Sequence, residues 1–170
     1  MASKCLARVP KGIQGNPKSS QRAPQTKLKK TKLKKNKIKE ELNNNSYKIV
    51  IGAGSSGPTT RWGSNNYANL INSLNELDNY FFFILCGPDE KNIENEITSN
   101  LIHKNYLTLS DKKIKDLIPY LCASDMYVGN DSFGSHITSQ SGKKSIILLL
   151  DSPKAYTDYS LSLIHISEPT

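Results

Sequence analysis

The sequence predicts an α/β domain, a parallel sheet with helices on both faces. Two observations carry that expectation. Short apolar runs alternate with longer segments whose apolar residues recur at helical spacing. The links between them are short and rich in Gly, Pro, Asn, Asp and Ser. An order β-α-β-α-β-α-β-α-β with short connections is satisfied by parallel strands joined through crossover helices.

Each element has its own reason. Tyr47–Gly52 is an apolar run ending in glycine, as a strand buried on both faces requires. The loop AGSSGPTTRWG follows. Ser64–Leu77 then places Tyr67, Leu70, Ile71, Leu74 and Leu77 at helical spacing, with Ser64 the expected N-cap. Tyr80–Cys86 is a second apolar strand, closed by Gly87-Pro88. Residues 89–100 suit a helix with Ile93 and Ile97 inward, and Asn105–Leu109 a short third strand. Asp111 is expected to cap a helix over 111–124. There Ile114, Leu117, Ile118 and Leu121 share a face, and Pro119 is expected to kink or end it. Asp125–Val128 is a fourth strand, GNDSFGSHITSQSG runs from loop into helix, and Lys144–Leu150 is a fifth strand. The domain therefore occupies residues 46–160.

Charge divides the chain of 170 residues. Residues 1–45 hold 13 Lys and Arg against Glu40 and Glu41, or +11, and the remainder holds 10 against 13, or −3. The basic character thus belongs to the first 45 residues, and the domain is not expected to bind nucleic acid. Those residues include the Lys/Asn tract 27–45 and too few large apolar groups to offset ordering entropy. They are expected to be disordered or a linker. No apolar run approaches the roughly 18 residues of a membrane span, and the start lacks the apolar stretch of a secretory signal. Cys5, Cys86 and Cys122 form no CxxC pair, which argues against a disulfide framework or a zinc site. Free thiols in a cytoplasmic protein are expected, with Cys86 and Cys122 as buried packing groups. No His, Cys or Asp cluster has metal-ligand spacing, and neither metal nor cofactor is expected.

Ligands of such sheets bind beyond the carboxyl ends of the strands. Three loops fall there: 52–63, 86–90 and 129–136. The first contains Gly52-Ala-Gly54-Ser-Ser-Gly57, which fits the G-x-G-x-x-G pattern of dinucleotide sites. Two features oppose that reading. Pro58-Thr-Thr-Arg-Trp-Gly63 follows where a helix should open, and Asp89 lies about 35 residues after Gly54 where an acid is needed about 20 on.

Three segments together resemble glycosyltransferase family 9, the ADP-heptose:lipopolysaccharide heptosyltransferases. They are GSSGPTTRWGSNNYANLI, FFFILCGPDEKNI and LIPYLCASDMYVGNDSFGSHIT, in matching order and spacing over about residues 46–155. The resemblance implies one Rossmann-like half of a GT-B glycosyltransferase, the C-terminal, donor-binding half. The acceptor domain and its general base would then lie outside this chain. It implies an ADP-sugar donor, a glycolipid acceptor in lipopolysaccharide core or a related surface glycan, and peripheral contact with the cytoplasmic membrane face. The last ten residues, LSLIHISEPT, look like a translated sequencing-library adapter, so 161–170 are set outside the domain, His165 with them.

Residue by residue, the resemblance places Asp131 on the donor sugar's hydroxyls and Ser132 with the following N–H groups on the diphosphate. The latter agrees with a helix N-terminus as an anion site. His136 matches the motif's His. Ser55 and Ser56 match hydroxyl residues that meet phosphate, and Glu90 (or Asp89) the acid that reaches the ribose. Phe133 stands where the family usually has Gly, so Gly134 is expected to take over the close phosphate approach. Thr60 stands at the family's cation position, and the adjacent Arg61 is expected to supply the charge. Two other classes of function remain: an FAD- or NAD-binding oxidoreductase fragment using GAGSSG, and a non-enzymatic binding module with a basic tail.

Overall fold

The computed structural model describes residues 36, 38 and 46–150 and the backbone of 163–167. The chain forms a parallel α/β sheet. Strands β1 (Tyr47–Gly52), β2 (Tyr80–Leu85), β3 (Tyr106–Thr108), β4 (Met126–Asn130), β5 (Lys144–Leu149) and β6 (Leu163–Ser167) lie in the order β3-β2-β1-β4-β5-β6. Every neighbouring pair is parallel. The helices are α1 (Ser64–Leu77), α2 (Lys91–Ser99), α3 (Ile114–Ala123) and α4 (Phe133–Gln140).

Alternation along the strands builds two cores. Ile49, Ile51, Phe82 and Ile84 face α1 and α2, where Tyr67, Ile71, Ile93 and Ile97 meet them. Val50, Phe83, Tyr127 and Ile147 face the other side, against Leu117 and Leu121 of α3 and Ile137 of α4. Each buried aliphatic or aromatic side chain contributes about 1.5–3 kcal/mol. The strands are therefore apolar on both faces, as a sheet sandwiched between helices must be. The order reverses between β1 and β4. Chain order runs outward from β1 to β3 on one side and from β4 to β6 on the other, and a crevice opens at that junction.

Several local expectations are corrected. Ser64 opens α1 rather than capping it; Gly63 is the cap, with φ 100°, and the Ser64 hydroxyl donates to Glu96 at 2.6 Å. Asp111 does not cap α3, because it pairs with Lys91 and Lys113 takes the cap position in extended backbone. Pro119 sits buried inside α3 without ending it. A 3-10 turn, Pro88–Glu90, precedes α2. Cys122 is only half-buried, its sulfur 3.3 Å from Ser141 Oγ.

Both ends of the chain add contacts that the sequence reading left out. Of residues 1–45, Asn36 and Ile38 are described. Both are helical, and Ile38 is buried beside Val50 and Phe83, so one apolar residue of the lysine tract joins the core. The rest of that tract lies outside the described residues. Leu163–Ser167, set aside with 161–170, forms β6 in register with Ser145–Leu149. Leu-Ile-His-Ile-Ser is rich in strand-forming residues and satisfies the open backbone edge of β5.

At the crevice Gly52 and Gly129 are register partners on β1 and β4. A Cβ on Gly129 would stand 2.4 Å from the Gly52 carbonyl oxygen and 2.6 Å from its Cα. Gly129→Ala should therefore destabilise the fold by about 1–3 kcal/mol, measured by urea unfolding; a midpoint unchanged from wild type would contradict this packing.

Candidate functional site

The crevice holds a cavity of about 640 Å³ at the carboxyl ends of β1 to β4. Ser55, Ser56, Glu90, Asp131, Ser132, Gly134 and His136 all line it, from three separate loops. Thr60 and Arg61 stand behind this wall rather than in it. The β3–α3 loop, Ser110 to Lys113, forms a fourth wall that the sequence reading did not include. It lies at a strand's carboxyl end like the others, so the same topological rule would have found it.

The first loop owes its shape to Glu90. Its Oε1 accepts the Ser55 N–H at 3.0 Å and Arg61 Nη2 at 2.7 Å, and its Oε2 accepts the Gly87 N–H at 2.7 Å. The expected ribose acid is thus a clamp between the β1 and β2 loops. Arg61 also donates to the Ser55 carbonyl at 3.2 Å, and its buried Nε has no partner among the described residues. The Thr60 hydroxyl donates to the Gly57 carbonyl at 2.9 Å and touches Ser55 Oγ, which closes the 3-10 turn Pro58–Thr60. Ser56 is an exposed hydroxyl of the loop and lines the cavity.

Two of the three glycines in GxGxxG have a packing origin. A Cβ on Gly52 would fall 1.9 Å from the Tyr127 hydroxyl, and one on Gly54 would fall 2.1 Å from Glu90 Oε2. Gly57 has ordinary room, with Thr60 Oγ1 at 3.9 Å the nearest atom. The first two glycines therefore admit side chains of the protein itself.

The fourth strand delivers the most constrained segment. Asn130, fully buried, donates from Nδ2 to the Ala53 carbonyl at 2.9 Å. Its Oδ1 accepts the Trp62 N–H at 3.2 Å and the Tyr67 hydroxyl at 2.7 Å. Tyr127 donates to the Asn130 carbonyl at 2.7 Å and lies 3.2 Å from Ser132 Oγ. Burial raises the pKa of both tyrosines, so both hydroxyls remain donors. Asn130 and Tyr127 were not among the expected site residues. The signal for Asn130 was a polar residue closing an apolar strand.

Beyond Asn130, Asp131 Oδ1 accepts from Ser135 Oγ at 3.3 Å and lies 3.6 Å from His136 Nε2. The Ser132 N–H donates to Ser135 Oγ at 3.2 Å, which fixes the first turn of α4. Gly134 lines the cavity, and its lack of a side chain has a packing reason. A Cβ there would meet Leu85 Cδ2 at 2.4 Å and Tyr127 Cε2 at 2.9 Å, so its bare face lies on the sheet. On the far wall, buried Glu94 accepts the Ser110 hydroxyl at 2.8 Å and its N–H at 3.2 Å, holding the β3–α3 loop.

The arrangement suits an anionic, hydroxyl-bearing ligand. It presents the N-terminal turn of a helix, whose backbone dipoles favour negative charge, beside a carboxylate that accepts hydroxyl protons. The cavity's remaining walls are largely apolar, through Leu85, Pro88, Ile114 and Leu117. Among the described residues no group of three or more His, Cys, Asp or Glu could hold a metal, and no helix is long and apolar enough to cross a membrane.

Two outcomes follow from these contacts. Asn130→Ala leaves the Ala53 carbonyl and Trp62 N–H without their partner and should cost about 2–4 kcal/mol, checked by thermal denaturation. Cys86 lines the cavity, yet burial, aided by Glu94 and Glu90, pushes its thiol up to about 12. At pH 8 iodoacetamide should modify Cys86 far more slowly than Cys122, read peptide by peptide by mass spectrometry. The raised value favours the neutral folded form. That contribution to stability is complete below pH 9 and is lost as pH rises from about 9 toward 12.

The comparisons with known proteins agree with this geometry. The family model described as glycosyltransferase family 9 (heptosyltransferase) matches residues 8–167. A family 9 glycosyl transferase from Veillonella parvula is similar in structure, with TM-score 0.71 and 17% identity over 81% of this chain and 41% of its own. The E. coli ADP-heptose lps heptosyltransferase II gives 0.70 and 20% over 78% and 42%. The E. coli heptosyltransferase WaaC with ADP-2-deoxy-2-fluoro heptose gives 0.63 and 14% over 78% and 42%. The chain thus spans less than half the length of these structures. No curated protein matches it. On the strength of the match over 8–167, the chain belongs to glycosyltransferase family 9.

Proposed function

We propose that this chain is the donor-binding half of a sugar-transferring enzyme that takes an ADP-linked heptose. The acceptor is a glycolipid of lipopolysaccharide core or a related surface glycan. The observation that carries the reading is the cavity at the β1–β4 junction of a family 9 chain, where Asp131, Ser132 and the first turn of α4 meet the Ser55–Ser56 loop. Helix N–H groups and Ser56 meet the diphosphate, while Asp131 takes hydroxyls of the sugar. Arg61, paired with Glu90 at 2.7 Å behind the Ser55 loop, meets the charge that develops on the leaving diphosphate by exchanging that pair. The apolar end between Leu85 and Leu117 takes the base.

Transfer is direct displacement at the anomeric carbon. The acceptor site and the base that activates it belong to the part of the enzyme this chain does not span. The work is done at the cytoplasmic membrane face. There the eight lysines of residues 27–39 add attraction to anionic headgroups.

A thermal-shift assay on the full chain tests the donor reading. ADP at about one hundred times its Kd should add about 2.7 kcal/mol and raise Tm by several degrees, with NAD and FAD inert. Asp131→Asn should keep most of the ADP shift and lose most of the extra shift given by ADP-heptose. Stabilisation by FAD or NAD alone would overturn the reading in favour of an oxidoreductase fragment.

A further inference from the structure

The first turn of α4 forces one side chain into the cavity. Gly134 lies flat on Leu85 and Tyr127, and any Cβ there would collide with both. Successive helical residues are about 100° apart, so the side chain at 133 turns off the sheet. Phe133 therefore lines the cavity and remains 40% exposed. Asp131 and His136 line the same cavity, as does Ile114 of α3, 66% exposed.

An exposed aromatic ring on a cavity wall is apolar surface left for a ligand to cover. Its neighbour narrows the ligand's chemistry. A sugar ring presents an apolar face of C–H groups, each slightly positive, and an edge of hydroxyls. The negative face of an aromatic ring attracts the first, and a carboxylate accepts protons from the second. Phe133 and Asp131 supply these two groups within three consecutive residues.

We propose that Phe133 is a specificity-determining residue, the platform on which the donor's glycosyl ring lies while Asp131 takes its hydroxyls. This rests on the donor-site reading above and assigns the sugar end of that site. Phe133 contacts the transferred sugar and not the nucleotide, so it sets the margin by which a nucleotide-sugar outbinds its nucleotide.

Isothermal titration of the full chain with ADP and with ADP-heptose tests this, using wild type, Phe133→Ala and Phe133→Tyr. Wild type should bind ADP-heptose more tightly than ADP. Phe133→Ala should weaken ADP-heptose about 5- to 10-fold and ADP less than about 2-fold, with Phe133→Tyr restoring wild-type affinity for both. Retained ADP binding also shows that the variant is folded. Equal losses for both ligands, or no loss for either, would overturn the assignment and leave the donor site standing. A wild-type chain that binds neither ligand would overturn the donor-site reading and this assignment with it.

Discussion

A single buried amide holds the working edge of this sheet together. Asn130 closes β4 at the point where strand order reverses. There it bonds to the loop after β1, the backbone at Trp62 and the hydroxyl of α1's Tyr67. An amide taken out of water must find partners or forfeit stability, and here donor and acceptor are both used. The same contacts fix where Asp131 emerges, because it is the next residue in the chain. The distance between the Ser55 loop and the α4 N-terminus is thus set by a hydrogen-bonded core group rather than by the loops. Tyr127 supports the arrangement from below through the Asn130 carbonyl and Ser132.

Glycine carries two different meanings in this chain. At a ligand site, a missing side chain lets a phosphate reach the backbone. At Gly52, Gly54 and Gly134 the space is filled instead by Tyr127, Glu90 and Leu85 from distant parts of the chain. Sequence spacing cannot separate these cases, since the occupant is found only once the strands are paired. That is why GAGSSG resembles a dinucleotide loop while its first two glycines do internal packing. At Gly134 the bare face is likewise turned to the sheet, although the residue also lines the cavity.

What could be read in advance follows from the range of the interactions involved. Strands β1, β2 and β5 were legible because burial on both faces leaves long apolar signatures; the expected bounds of β1 are those observed, whereas β4, expected over Asp125–Val128, runs over Met126–Asn130. The loops that would meet a ligand were legible through topology, and Asp131, Ser132 and His136 do share one cavity. Side-chain partners were not. Asp111 forgoes a helix cap for Lys91 twenty residues earlier, and Glu90 joins Ser55, Gly87 and Arg61 across a gap of up to 35 residues. Such pairings depend on tertiary geometry, and local propensity gives no sign of them. Ile38 is a similar case. With Leu28 and Leu42 it hints at a weak helix in the lysine tract, but its burial becomes visible only when a core face beside Val50 and Phe83 is there to take it.

The clamp around Glu90 bears on how the crevice answers to anions. Its carboxylate is held by the Ser55 and Gly87 N–H groups as well as by Arg61, which is only partly shielded from solvent. If Arg61 swings toward another anion, the carboxylate keeps both backbone partners and the two loops keep their spacing. The cation is then a counterion traded between two acids. An incoming phosphate gains the difference between two ion pairs, not a full one. Attraction from Arg61 at this edge is accordingly weaker than from an unpaired guanidinium.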